Sequence, residues 1–320
     1  DNLAEDGSRY GTQKVLVKIT TGTYKGKEKQ AINPSGTLFG ADCKVGARII
    51  VIVNKSGTNA GFTVYSQDRT MAIYGFALIF AAVVCAIGGK KGVYAILSLV
   101  FAFACIIGIM FPMMYRGISP IVLTIIVAVL TTIVTLGLLG GYSSKTVSAI
   151  LGTAIGVVIA AVAAMTFGKA AGITGYNVSD IEALNYVGQN TKIKIGELLF
   201  AGIIISALGA VMDVGMSIAS TIQEIYETDK TLSMKRLFVS GINVGRDMMG
   251  TMTNTLIFAY VGGAMTTLVI NYAYDLSYRQ LANSYVIGIE IMQGLSGSLG
   301  VVLTVPVSYT HLRAHETAAN

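Results

Sequence analysis

The sequence predicts a polytopic α-helical membrane protein, with about seven visible spans following a small N-terminal β domain. Three observations carry that prediction. Of the chain, 53% is hydrophobic and only 12% charged, whereas a soluble domain carries about a quarter charged residues. After Arg69 the apolar runs recur at close to the ~20 residues needed to cross a ~30 Å hydrocarbon core. Before Arg69 the texture is different, with short β-branched runs separated by Gly, Asn, Lys and Pro clusters.

Residues 1–69 contain "VLVKI" (Val15 to Ile19), "ARIIVIV" (Ala47 to Val53) and "GFTVYS" (Gly61 to Ser66), each patterned as a strand. "NPSG" and "NKSGTN" read as the turns between them. Four or five such strands make a small barrel or sandwich, OB-like in outline, near the lower size limit for an independent core. Roughly half of the Lys and Arg precede Thr70, so the pI of 9.1 partly reflects a basic N-terminal domain. Its aromatics are few and scattered, and nucleic acid is not an expected partner.

The spans are placed at Thr70–Gly88, Val93–Tyr115, Ser119–Leu139, Val147–Phe167, Leu198–Ile218, Thr253–Tyr274 and Tyr285–Val305. Tight links join the first four, which read as an apolar packing scaffold. Two longer links remain, 168–197 and 219–252. Lys and Arg beside the spans set an orientation. With the β domain outside, the inner links hold Lys90, Lys91, Lys145, Lys230, Lys235, Arg236 and Arg246. "SDIE" (Ser179 to Glu182) and "SYRQ" (Ser277 to Gln280) have the capping-box pattern that opens short helices. "TLSMKRLFVS" (Thr231 to Ser240) is a short basic amphipathic stretch, read as an interfacial helix or as a partner-docking one.

Both ends carry expectations of their own. The chain starts at Asp1 without Met, which implies a missing upstream segment. The tail "VSYTHLRAHET" (Val307 to Thr317) resembles a translated sequencing adapter, and residues 307–320 are set aside on that ground. Both histidines, His311 and His315, fall in it. Without them the chain lacks the usual general base and the commonest metal ligand. Three cysteines, Cys43, Cys85 and Cys105, make neither a disulfide framework nor a metal spacing. No phosphate loop, nucleophile elbow or dinucleotide fingerprint is present, so neither an enzyme nor a cofactor is expected.

Polar groups inside a bilayer are costly and mark function or tight pairing. They gather in the last three predicted spans. Ser206, Gly209, Asp213, Ser217 and Ser220 share one helical face, which would enclose the Asp213 carboxylate against a neighbouring helix. Arg246, Asp247 and Asn254 stand near the start of the sixth span and are expected at the depth of Asp213. Gly241, Gly245 and Gly250 there would permit a bend or a close approach. Two readings fit the group: a structural ion pair, or a site for a cation or proton. Glu290 shares a face with Gln293 in the seventh span, near the outer surface, as a second station on a path or as an interfacial residue.

The segments "LGAVMDVGMSIAS" (Leu208 to Ser220), "SGINVGRDMMGTMTNTLIFAYVGG" (Ser240 to Gly263) and "GLSGSLGVVLTVP" (Gly294 to Pro306) resemble the YibE/F-like family of multi-span membrane proteins. "GGKKG" (Gly88 to Gly92) and "FPMMYRGISPI" (Phe111 to Ile121) agree more weakly. The resemblance implies a bacterial cell-membrane protein with an extracytoplasmic N-terminal domain, and implies no reaction. Two functions are weighed. One is a permease for a small solute or ion built on a buried carboxylate. The other is a non-transporting scaffold or sensor whose residues 1–69 bind an envelope protein. In both, the lipid bilayer is the first partner.

Overall fold

A computed structural model gives the architecture and describes residues 2–3, 9–35, 40–56, 59–141, 143–178 and 180–318. The chain divides into two units, residues 1–83 and 84–320. In the first, strands β1 (Asn2–Leu3), β2 (Arg9–Lys18), β3 (Glu28–Ser35), β4 (Ile49–Ser56) and β5 (Asn59–Gln67) form one sheet. Their order is β1-β2-β3-β5-β4, antiparallel except where β3 meets β5 at Ile32 and Thr63. The order leaves β1 and β4 as the ends of the sheet.

Alternation decides which face is core. Val15, Val17, Ala31, Phe62, Val64 and Val51 point one way and pack together. One expectation is corrected here. "NPSG" is not a turn up to Ser35: Asn33, Pro34 and Ser35 lie in β3, paired to Gln13, Thr12 and Gly11. Proline is tolerated because β5 pairs β3 only at Ile32, leaving Pro34 with no ladder bond to donate on that side. Asn33 is fully buried. Its Nδ2 donates to the Ala41 carbonyl at 2.8 Å and to Gln13 Oε1 at 2.9 Å, and its Oδ1 accepts from the Ala41 amide.

Ten helices follow: α1 (Thr70–Cys105), α2 (Phe111–Tyr115), α3 (Pro120–Gly140), α4 (Ser144–Ala171), α5 (Ile181–Asn190), α6 (Leu198–Thr228), α7 (Met234–Gly263), α8 (Met265–Ala273), α9 (Tyr278–Ala282) and α10 (Tyr285–Ala318). Asp68 opens α1 by accepting the Thr70 amide at 3.0 Å, which supplies one of the bonds a helix start lacks. A π turn at Ile106–Met110 joins α1 to α2 ahead of Pro112, whose missing N–H breaks the regular ladder. Among the described residues, five stretches are long and apolar enough to cross a membrane: Thr70–Tyr115, Pro120–Gly140, Ser144–Ala171, Ile195–Thr228 and Tyr285–Val307. The pair α7–α8 qualifies as a sixth, bent by 59° at its break.

The second unit is centred on α4, α6 and α10, which meet through small residues. A Cβ on Gly156 would run into Thr304 Oγ1 and lie 2.7 Å from Val211 Cγ1. Gly300 backs onto the Gly156 carbonyl, and Gly215 onto Thr153 and the Ala149 carbonyl. The Thr304 hydroxyl donates to the Gly300 carbonyl at 2.7 Å, hiding its polarity inside the helix. Ile204, Val211, Ile218, Ile222 and Val301 fill the remaining space, all at most 1% exposed. Close backbone approach over Gly and Ala is how helices associate where lipid removes the hydrophobic drive.

Two helix expectations change. "TLSMKRLFVS" is no separate element, because from Met234 onward it forms the first turns of α7. Leu237 on those turns is buried in the core while Lys235 and Arg236 are exposed. The sixth span is not Thr253–Tyr274 in one piece but α7 broken from α8 at Ala264. "SYRQ" does form its capping box at the start of α9. The "SDIE" box rests on Ser179, which lies outside the described residues, although the helix it announces, α5, is present.

Candidate functional site

Asp213 lies midway along α6, and with Ser206 and Gly209 it is exposed in the chain. Ser217 and Ser220 on the same face are half-buried. The face expected to enclose the carboxylate is therefore turned out of the packed side of α6. That side is taken by Ala207, Val211, Val214 and Ile218 against α4 and α10. Arg246, Asp247 and Asn254 are likewise exposed, on α7. Among the described residues no ion pair or hydrogen bond joins Asp213 to Arg246, Asp247 or Asn254. The expected cluster at one depth is not formed.

The reason lies in the glycines ahead of it. Gly241 and Gly245 do not bend α7. A Cβ on Gly241 would lie 2.9 Å from Ile222 Cδ1, and one on Gly245 would overlap Val305. They seat α7 on α6 and α10 by its small face, and this turns Asn243, Arg246, Asp247 and Asn254 outward. Gly250 has open space around it. The bend falls instead at the far end, beside Gly262 and Gly263, where the Ala264 amide still bonds the Tyr260 carbonyl at 2.9 Å.

At that bend the structure brings together residues the sequence left apart. A cavity of about 230 Å³ opens between α7, α8 and α10, walled by Ile257, Tyr260, Leu268, Ile287, Glu290 and Gly294. Glu290, half-buried in the second turn of α10, borders the cavity, whose exposed wall is almost wholly apolar. Tyr260 borders the same cavity. The Tyr260 hydroxyl donates to Ser206 Oγ at 2.9 Å, and Ser206 in turn donates to the Ile203 carbonyl. A Cβ on Gly294 would make an ordinary contact with Tyr260 Cδ2 at 3.7 Å. Gln293 is half-buried and does not line the cavity.

Of the candidate site residues named from sequence, Glu290 is the one that borders this cavity. Tyr260 and Ser206 were not read as site residues. Ser206 was counted as packing on the Asp213 stripe, and Tyr260 looked like one more aromatic in an apolar run. The available signal was the double glycine that follows Tyr260 and marks the break. A second, larger hollow along α4 and Leu299 has one polar lining residue, Thr166, whose hydroxyl donates to the Val162 carbonyl. Among the described residues no group of three or more His, Cys, Asp or Glu is placed to hold a metal ion.

Long apolar helices packed on glycine and alanine, with one pair bent by 59° at its break, support the class of multi-helix membrane proteins. Within that class the sequence model of the YibE/F-like proteins matches residues 76–314, and the chain belongs to this family. No curated protein and no solved structure matches it.

Proposed function

We propose that this YibE/F-like chain is a permease-like membrane protein that moves a small solute or ion, with Glu290 as the group that takes up and releases charge. One observation carries the reading: a candidate span breaks by 59° between α7 and α8, with Glu290 of α10 among the residues around the hollow at the break. An ionised group in such surroundings is costly unless something pairs with it. Broken helices in membranes are tolerated where they line a cavity or are buried in protein. The exposed polar side chains of α6 and α7 add support. Asp213, Asn243, Arg246, Asp247 and Asn254 need water or protein against them within a bilayer.

In this reading the chain crosses a bacterial cell membrane seven times. As a continuous rod, the 46 residues of Thr70–Tyr115 would extend about 70 Å, more than twice the hydrocarbon core. The rod is broken at Gly89, whose φ of 52° and ψ of −131° suit glycine alone. Gly92 then lies against the carbonyl of Val84, a contact that residues eight apart on a straight helix cannot make. A hairpin there divides the stretch into two spans, and the β domain stands outside the cell with Lys90 and Lys91 inside.

The test is flux. Purified protein is reconstituted in liposomes holding a pH dye, and a panel of small charged and neutral solutes is added outside. One solute class moves the internal pH with wild-type protein, and Glu290→Gln reduces that signal to the protein-free rate. Wild-type flux through Glu290→Gln contradicts the proposal. Asp213→Asn runs alongside, and a matching loss there extends the path to α6.

A second reading, a scaffold or sensor, draws on the first unit. Leu16, Ile32, Ile50, Ile52 and Tyr65 all point from the face of the sheet opposite its core and are 43–71% exposed. An envelope protein bound there would co-purify in stoichiometric amount and be lost on deleting residues 1–69.

A further inference from the structure

We infer that the turn at residues 44–47 of the β domain docks on the headgroup layer of the bilayer, with Val45 entering the acyl boundary and Arg48 and Arg69 holding the phosphates of anionic phospholipid. This rests on α1 crossing the membrane from Thr70 and is independent of any role of Glu290. The turn closes through the Ala47 amide, which donates to the Lys44 carbonyl at 3.0 Å. Gly46 has a φ of +88°, the left-handed conformation that favours glycine. Val45 therefore stands at the corner, where Gly, Pro, Asn, Asp and Ser are the usual residues. It is fully exposed, and Ala47 is exposed after it.

Position decides what this bare apolar corner meets. β5 runs toward α1, and β4 pairs with it antiparallel from Ile49 opposite Gln67. The turn ahead of β4 thus lies at the end of the sheet from which α1 leaves. A backbone bond fixes it there, since the Asp68 amide donates to the Arg48 carbonyl at 2.9 Å. Asp68 is two residues from Thr70, at most about 7 Å of chain. The headgroup layer beside a hydrocarbon core is itself about 5–8 Å deep on each side. The first residues of α1, as far as Val83, belong to the same compact unit as the sheet.

Charge chooses the lipid. Arg48 and Arg69 are exposed and make no ion pair among the described residues. The carboxylates nearby in sequence are engaged: Asp42 pairs with Lys44 at 2.7 Å, and Asp68 accepts the Thr70 amide at 3.0 Å. Guanidinium groups at a membrane surface attract anionic headgroups, and each planar fork matches a phosphate. The bilayer is in place wherever α1 is inserted, which a soluble acidic protein is not.

The chain contains no Trp, so a single introduced one reports its own surroundings. Val45→Trp is placed in the full chain, in nanodiscs containing phosphatidylglycerol and lipid brominated near the top of the acyl chains. It is expected to be quenched by the bromine and shielded from aqueous acrylamide. Thr23→Trp tests the turn between β2 and β3, at the opposite end of the sheet because β3 runs parallel to β5, and should behave in the reverse way. It also controls for the affinity of Trp itself for interfaces. Arg48→Gln or Arg69→Gln, added to Val45→Trp, should each lower the docked-to-free ratio of the turn about fivefold. Phosphatidylcholine in place of phosphatidylglycerol should lower it too. Ile79→Trp, exposed on α1, tests the span through bromine placed deep in the acyl chains. Quenching at Ile79→Trp without quenching at Val45→Trp overturns the inference and leaves the span standing; quenching at neither removes both. Acrylamide access at Val45→Trp equal to that at Thr23→Trp also overturns it, and leaves the turn to a protein partner. So does quenching that neither lipid charge nor the two Arg substitutions alter.

Discussion

Asn33 is the residue on which the first unit turns. Its carboxamide has no exposure and holds the chain at Ala41 from both sides, donating to the carbonyl and accepting from the amide. Removing it leaves buried backbone groups without partners, which costs about 1–3 kcal/mol. Asn33→Ala should therefore lower the stability of the β unit by that amount, read as faster hydrogen exchange along β3 with α3 to α10 unchanged. Cys43 gives a second test. Partial burial, and then the Asp42 carboxylate, push its thiol above the ordinary range. The thiolate is the reactive form, so alkylation at neutral pH should be slower than for a free thiol and rise only at more alkaline pH. A Cys43 that labels as fast as a model thiol would contradict the placement. Neither role was legible. "NPSG" has turn composition, and the contact that makes Asn33 a strand residue is made eight residues later.

At the scale of elements, glycine separates what sequence can tell from what it cannot. A glycine in an apolar run announces either a bend or a close approach, and only the neighbour decides which. Gly241 and Gly245 were candidates for both and proved to be approaches, while the bend fell at Gly262 and Gly263. The α4–α6–α10 core makes the point measurable. Gly156→Ala puts a methyl against Thr304 and Val211 in a well-packed seam. Overpacking costs about 1–3 kcal/mol, against a helix-propensity gain near 1 kcal/mol. The severity of the clash places this case at the upper end, a net loss of about 2 kcal/mol. Gly209→Ala meets open space and should be neutral or slightly stabilising. Thermal midpoints in one detergent compare the two, and equal shifts would contradict the packing. Helix existence itself was plain, since α3, α4, α6 and α10 each overlap a span placed from hydropathy alone.

For the whole molecule, hydropathy and texture were enough to separate a β head from a helical remainder, and the family followed from the segments of α6, α7 and α10. The site was only half legible. Glu290 was visible because a carboxylate in an apolar run is rare. Its neighbour at the cavity was not, because Tyr260 is 30 residues away and comes beside it only through packing. The central claim is that the Glu290 cavity lies on a path across the membrane. It is tested most directly by a single cysteine, Ile287→Cys, in a chain with Cys43, Cys85 and Cys105 replaced by Ser. A membrane-impermeant thiol reagent is applied to right-side-out and to inside-out vesicles. A permease exposes the cavity alternately, and modification from both sides is the predicted result. Modification from one side only, or from neither, would contradict it.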